Sequence, residues 1–177
     1  NDSRKDMTEE AVKLAKEQVE TTDLSDDRVL VIYLPDCHES LAGLVAGRVR
    51  ENYYRPVFVL TDSEDGVKGS GRSIESYSMY EELTGCGDLL TKFGGHPMAA
   101  GLSLDKENVE KFKRRLNDQC TLSEEELTEK VVIDMELPFA AITEQFIEEL
   151  EYLEPFGKGN TKPVFAARGV VMQHVKI

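Results

Sequence analysis

Residues 29–34 read Val-Leu-Val-Ile-Tyr-Leu and stop at Pro35. A short, continuous, β-branched run of this kind makes a strand buried on both faces, because a strand with one wet face would alternate apolar and polar residues. A second such run, 56–61, comes after residues 39–52, a helical stretch that carries Ala42, Gly43, Ala46 and Gly47 on one side. Small residues at that spacing let a helix backbone lie close against a sheet, and the packing must offset the helix stability that the glycines cost. Strand, helix and strand in this order place the chain in the α/β class, with strands alternating with helices.

The remaining elements follow from local pattern. Asp6 and Glu9 fit an N-cap and its acidic partner, and Val12, Ala15 and Val19 keep helical spacing, so residues 6–20 read as a helix. Residues 1–27 carry four basic and nine acidic side chains, which suits a solvated connecting helix and linker more than a core element. Ser63-Glu64-Asp65-Gly66 is a turn signal that joins 56–61 to 67–73 as a hairpin. Residues 77–83 read as a helix, 93–97 as an irregular turn, 100–104 as a returning strand and 106–119 as a charged amphipathic helix. After a loop or short helix at 123–129 come a strand at 131–137 and a helix at 143–153, with Phe146, Ile147, Leu150 and Leu153 on its apolar side. The closing stretch, 163–177, has β character, and His174 within it reads as structural. No internal repeat is visible.

Composition narrows the function classes. The chain has 177 residues, enough for one large domain or one domain and part of another. Its 21 basic and 34 acidic side chains leave a formal net charge of −13, a field that repels nucleic acid, so any contact with a phosphate backbone must be a local site. Three cysteines, Cys37, Cys86 and Cys120, form no C-x-x-C pair, which argues against a zinc ribbon or disulfide framework and suits a reducing cytoplasm. The apolar runs fall far short of the roughly 18 residues that a membrane span needs, and residues 1–6 are not the start of a signal peptide. A soluble, cytoplasmic chain without a membrane partner is the expectation.

Three segments could carry chemistry. Lys68-Gly69-Ser70-Gly71-Arg72-Ser73 sets two glycines, two hydroxyls and two cations in six residues. The backbone could turn its N–H groups towards an anion while Arg72 offers a fork to phosphate oxygens; the alternative is a glycine-bulged hairpin strand with exposed cations. Neither a Walker loop nor a complete dinucleotide fingerprint is present. In Phe93-Gly94-Gly95-His96-Pro97, followed by Ala99-Ala100-Gly101, side chains are nearly absent around His96, which leaves room for a ligand or a second backbone, or else simply makes a tight turn. Asp36-Cys37-His38-Glu39 gathers four reactive groups at a strand-to-helix junction, where ligands bind in α/β sheets. Adjacent residues seldom converge on one ion, however, and a cap for the following helix is the simpler role.

Taken in order, Asp36-Cys37-His38-Glu39-Ser40-Leu41-Ala42-Gly43, the 68–73 segment, Phe93 to His96 with Ala99-Ala100-Gly101, and Leu153-Glu154-Pro155-Phe156-Gly157-Lys158-Gly159-Asn160 resemble the RecJ family of single-stranded-DNA-specific exonucleases, within the DHH phosphoesterase superfamily. The glycine-histidine motif alone is shared with other DHH phosphoesterases and with an accessory domain of alanyl-tRNA synthetase; the 153–160 segment favours RecJ. The resemblance implies a connecting helix and linker over 1–27, a DHH-associated substrate-binding domain over 28–120, and over 121–177 a linker helix and the start of an OB-type nucleic-acid-binding domain. It also implies 5′-to-3′ hydrolysis of single-stranded DNA in repair and recombination, assisted by Mn2+ or Mg2+. No Asp-His-His triplet or Asp-x-Asp cluster is present, so the expectation is a fragment that contains the substrate half, holds no metal and is inactive alone. A missing N-terminal DHH domain of the same polypeptide and a single-strand-binding protein are the implied partners. On the matching positions, Ser70 and Arg72, with Lys68, Gly69, Gly71 and Ser73, would hold a DNA phosphate. His96, with Gly94 and Gly95, would touch the scissile phosphate, and His38 would face the substrate, next to Cys37 where many members carry tryptophan. Two other readings stand beside this one: a phosphodiesterase for nanoRNA or cyclic dinucleotides, and a binding module without catalysis.

Overall fold

Chain order and strand pairing build the larger part of the structure around a five-stranded sheet. The computed structural model describes residues 2–21, 23–171 and 173. It divides into a unit that ends at Glu129 and a second that begins at Lys130. In the first, the helix α1 (Asp2–Thr21) precedes strand β1 (Leu30–Tyr33), helix α2 (Glu39–Tyr53), strands β2 (Val57–Ser63) and β3 (Gly66–Arg72), helix α3 (Met79–Gly85), strands β4 (Leu90–His96) and β5 (Ala99–Leu104), and helix α4 (Val109–Gln119). The sheet runs β1-β2-β3-β5-β4, with β1 and β2 parallel and the other neighbours antiparallel. The parallel pair is the one joined by a helix, as a crossover connection requires.

Two apolar layers sandwich this sheet. On one face Leu30, Ile32, Val57 and Val59 meet Ala42, Val45, Ala46 and Val49 of α2. On the other, Phe58, Leu60, Val67, Leu102 and Leu104 meet Met79 and Leu83 of α3 and Val109, Phe112 and Leu116 of α4. Phe58 and Phe112 are fully buried and pack edge to face, 5.6 Å between centroids. Successive strand residues point to opposite faces, so β1 and β2, apolar on both, are the buried strands their sequence announces.

Helix α1 is less solvated than its charge suggests. It extends on both sides of the expected span, and Ala11, Ala15 and Val19 are buried against the α2 layer. Its Gln18 amide donates to Tyr33 O at 2.9 Å and accepts from Tyr33 N at 3.3 Å. At the other end of the same edge, Asn117 accepts from Val29 N at 3.0 Å and donates to Val29 O at 2.9 Å. Two amide side chains thus satisfy an edge that would otherwise be open to another strand.

Residues 93–97 are not an irregular turn. They continue β4 to His96, and the reversal is confined to Pro97 and Met98, between the paired His96 and Ala99. A two-residue loop lets the pairing run up to His96 and Ala99, which is why the glycines lie in a strand. The second unit contains strand β6 (Met135–Glu136), helix α5 (Glu144–Glu151) and strand β7 (Phe165–Ala166), with β6 and β7 parallel. The Thr143 hydroxyl caps α5 by accepting from Phe146 N, and Phe146 packs edge to face on Phe165. The strand expected over 131–137 is present only at β6, where pairing with β7 fixes it. His174 lies outside the described residues.

Gly95 is the one β4 residue that a side chain would break. Its φ is +150°, and a Cβ there would stand 2.4 Å from Ala99 O and 2.6 Å from Ala100 Cα. Gly95→Ala is therefore expected to cost about 1–3 kcal/mol and to lower Tm by roughly 5 °C. Thermal melts check this, and an unchanged Tm would mean that β4 and β5 can part here without loss.

Candidate nucleic-acid interface

Strand register decides which side chains meet. β3 pairs with β5 and β5 with β4, so residues opposite one another form three rows: Lys68, Ser103 and Lys92; Ser70, Gly101 and Gly94; Arg72, Ala99 and His96. Cross-strand partners share a face. Val57 and Val59, opposite Arg72 and Ser70 on β2, belong to the layer beneath α2, so all three rows lie on the α2 side of the sheet. Helix α2 lies over β2 and β3 and leaves β5 and β4 open on this side. Between the open half and the first turn of α2 is a cavity of about 600 Å3, lined among others by Glu39, Ser40, Thr61, Lys68, Lys92 and Ser103. Arg72 and His96 sit one row beyond its lining residues.

The same alternation corrects the reading of the glycines at 69 and 71. β3 is an interior strand, paired on both sides, and its backbone N–H groups do not cradle an anion. Gly69 and Gly71 face the α3 and α4 layer, where a Cβ would stand 2.5 Å from Leu60 Cδ2 and 2.4 Å from Met79 Sδ respectively. They are small because the core fills the space in front of them. Ser73 is buried and donates its hydroxyl to Tyr77 O at 2.6 Å. Lys68, Ser70 and Arg72 are what β3 offers to the open face, and Gly94 joins them there with nothing within 4 Å of its Cβ position.

Electrostatics on this face are local. Lys68 Nζ lies 2.7 Å from Glu39 Oε2. Its hydrogen bond to that carboxylate raises the ammonium pKa, and the same bond lowers that of Glu39. Among the described residues Lys92 and Arg72 form no ion pair. Arg72 donates from Nη1 to Gly71 O at 2.7 Å, and its guanidinium passes over Gly43, whose Cβ would meet Nη2 at 2.7 Å. Gly43 is small because it seats Arg72, whereas Gly47 faces open space. Lys92 was missed in the sequence because 93–97 read as a turn; once β4 is a strand, the even spacing puts Lys92, Gly94 and His96 on one side.

His38 has a different position. It is the N-cap of α2, its Nδ1 accepting from Ser40 N at 3.2 Å, and its ring lines a separate cavity with Met7, Leu14, Leu34 and Leu41. The Asp36 to Glu39 cluster is thus a helix start, and among the described residues no three His, Cys, Asp or Glu side chains converge as metal ligands.

Comparison with known proteins places the fold. The DHHA1 domain model matches residues 26–122, the whole of the sheet with α2, α3 and α4. The chain belongs to the DHHA1 domain family. Beyond the DHHA1 domain, residues 133–177 match the RecJ OB domain. The chain is 36% identical over 174 residues to the single-stranded-DNA-specific exonuclease RecJ of Bacillus subtilis, a match that covers 96% of this chain and 22% of that protein. Among solved structures, RecJ of Thermus thermophilus in complex with Mn2+ superposes with a TM-score of 0.77 at 30% identity, over 94% of this chain and 24% of the other. The same protein in complex with Mg2+ gives 0.76. The chain therefore spans about a quarter of the length of these relatives, over their DHHA1 and OB region.

The cap role of His38 within the DHHA1 domain has a direct consequence. His38→Ala is expected to lower stability by about 1 kcal/mol, the ordinary cost of losing a side-chain N-cap. Denaturant unfolding measures it, and wild-type stability would show that the ring does not hold the start of α2.

Proposed function

We propose that this chain supplies the substrate-binding part of a 5′-to-3′ single-stranded-DNA exonuclease, in which a metal-binding half outside these residues hydrolyses the phosphodiester. One observation carries the reading: three cations and an imidazole stand on the corners of an open sheet face whose centre is Ser70, Gly101 and Gly94. A flat, nearly side-chain-free centre admits a sugar-phosphate backbone, and the corners supply charge-assisted hydrogen bonds to it. The relatives named above are single-stranded-DNA-specific exonucleases, which supports DNA as the strand. The match to an OB domain favours an extended strand over nanoRNA or a cyclic dinucleotide, since short ligands need no second strand-binding domain.

Each residue then has a role. Arg72, steadied over Gly43, presents its fork to the 5′ phosphate, and Ser70 donates its hydroxyl to the same group. His96, at the end of β4, donates to the scissile phosphate and stabilises charge that develops on it. Mn2+ or Mg2+, named with the Thermus relatives, would polarise a phosphoryl oxygen and activate water. Among the described residues no donor set converges for such an ion. DNA repair and recombination in the cytoplasm are the proposed setting, with the metal-binding domain of the same polypeptide and a single-strand-binding protein as partners.

Arg72→Ala is expected to weaken binding of 5′-phosphorylated single strands regardless of sequence and to reduce the slope of log K against log salt by about 0.7, the value of one lost phosphate contact on a single strand. Fluorescence anisotropy over a salt series measures both, and an unchanged slope would remove Arg72 from the interface.

In the polypeptide that joins this region to its metal-binding half, His96→Ala is expected to lower kcat by roughly 100-fold with DNA affinity nearly intact. A raised KM at constant kcat would instead make His96 a ground-state contact, and a lowered Tm with both constants unchanged would make it structural.

A further inference from the structure

The row nearest the α2 N-terminus, Lys68, Ser103 and Lys92, lies two rows from Arg72 and His96. Along a strand this is four residues, or about 14 Å. A single phosphate cannot bridge that distance; at the stacked rise of about 3.4 Å per nucleotide it corresponds to roughly four nucleotides, and to fewer if the strand is extended. Across the sheet, Lys68 and Lys92 flank Ser103 on adjacent strands, each about 5 Å from it at the backbone. Their flexible four-carbon stems can bring both ammonium groups over the Ser103 hydroxyl.

Both lysines are exposed and line the same cavity as Ser103. Lys92 has no acidic partner among the described residues, on a chain with 34 acidic side chains against 21 basic ones. Lys68 does have one: Glu39, in the first turn of α2 and lining the same cavity, places a carboxylate oxygen 2.7 Å from its ammonium. A carboxylate at that distance has the charge and acceptor geometry of a phosphate oxygen. We propose that Lys68, Ser103 and Lys92 form a second phosphate subsite, reached by a nucleotide downstream of the one at Ser70 and Arg72, and that the Glu39 carboxylate competes with a phosphate for Lys68.

The inference rests on the strand-binding reading above and adds to it a length requirement and a counter-charge. Lys92 completes the subsite, and Glu39 sets how tightly it holds. A mononucleotide occupies one subsite only, whereas a strand of several nucleotides occupies both.

The test uses the 177-residue chain and two probes, thymidine 5′-monophosphate and 5′-phosphorylated dT6, followed by chemical-shift titration up to millimolar ligand and by anisotropy over a salt series. Lys92→Gln should weaken dT6 binding about 5-fold at low salt, reduce the salt slope by about 0.7 and leave the mononucleotide unaffected. Glu39→Gln should tighten dT6 about 3-fold and likewise leave the mononucleotide unchanged. Lys111→Gln, on the far helix α4, serves as the control for total charge and should change dT6 less than 2-fold. Thermal melts establish that each variant is folded. If Lys92→Gln behaves as Lys111→Gln does, or weakens both probes equally, the second subsite is overturned while the Arg72 site stands. If Glu39→Gln weakens dT6, the competition is overturned. If the wild-type chain binds neither probe, the strand-binding reading fails and this inference falls with it.

Discussion

Two-residue alternation along β3 governs this structure. Val67, Gly69 and Gly71 must face the layer built by Phe58, Leu60, Met79 and Leu102, because β3 is in the middle of the sheet and that layer is filled. With those residues committed inward, Lys68, Ser70 and Arg72 have only the opposite face left to them. A slip of one residue would bury two cations and expose the core, an exchange that desolvation of charge makes prohibitive. The register of β5 and β4 then places Ser103, Gly101, Ala99 and Lys92, Gly94, His96 beside them. The candidate interface is thus the reverse side of a packing requirement.

Unequal helix cover turns that face into a cleft. Helix α2 lies over β2 and β3 and α1 packs on β1, so on this side of the sheet α2 does not reach β4. Ala42 and Ala46 let it lie close, and Gly43 leaves room for the Arg72 guanidinium to run along its flank. The cap at His38 fixes where α2 begins, and this places Glu39 in the cavity lining.

Overall charge opposes any strand-binding role, and locality resolves the conflict. Exposed charges separated by more than about 8 Å are largely screened at physiological salt, so acidic side chains on α1 and α4 weigh less on the field above the open face than nearby ones do. Among the described residues, what a phosphate meets there is Arg72 and Lys92 without an ion pair, and Lys68 hydrogen-bonded to Glu39 with Glu64 and Asp65 nearby. Glu39 lowers the charge of the face without closing it.

The sequence alone determined the parts of this protein that depend on local pattern. The continuous β-branched runs at 29–34 and 56–61 could only be strands wet on neither face, the 63–66 turn made a hairpin, and the periodic apolar residues of 109–119 made an amphipathic helix; each is legible because its cause lies within a few residues. The ordered motifs around His38, Gly69, His96 and Phe156 also carried the family likeness. Tertiary structure decided the rest. Gly69, Gly71 and Ser73 looked like an anion loop and are core packing, because whether a glycine makes room for a ligand or for Met79 depends on a residue beyond local reach. His38 looked like a ligand contact and is a cap. Gly94-Gly95 looked like a turn, and only hydrogen bonds to β5 show it to be a strand. Lys92 carried no motif at all: it joins Lys68 and Ser103 through the register of three strands, and register is fixed by long-range burial, which local sequence does not encode.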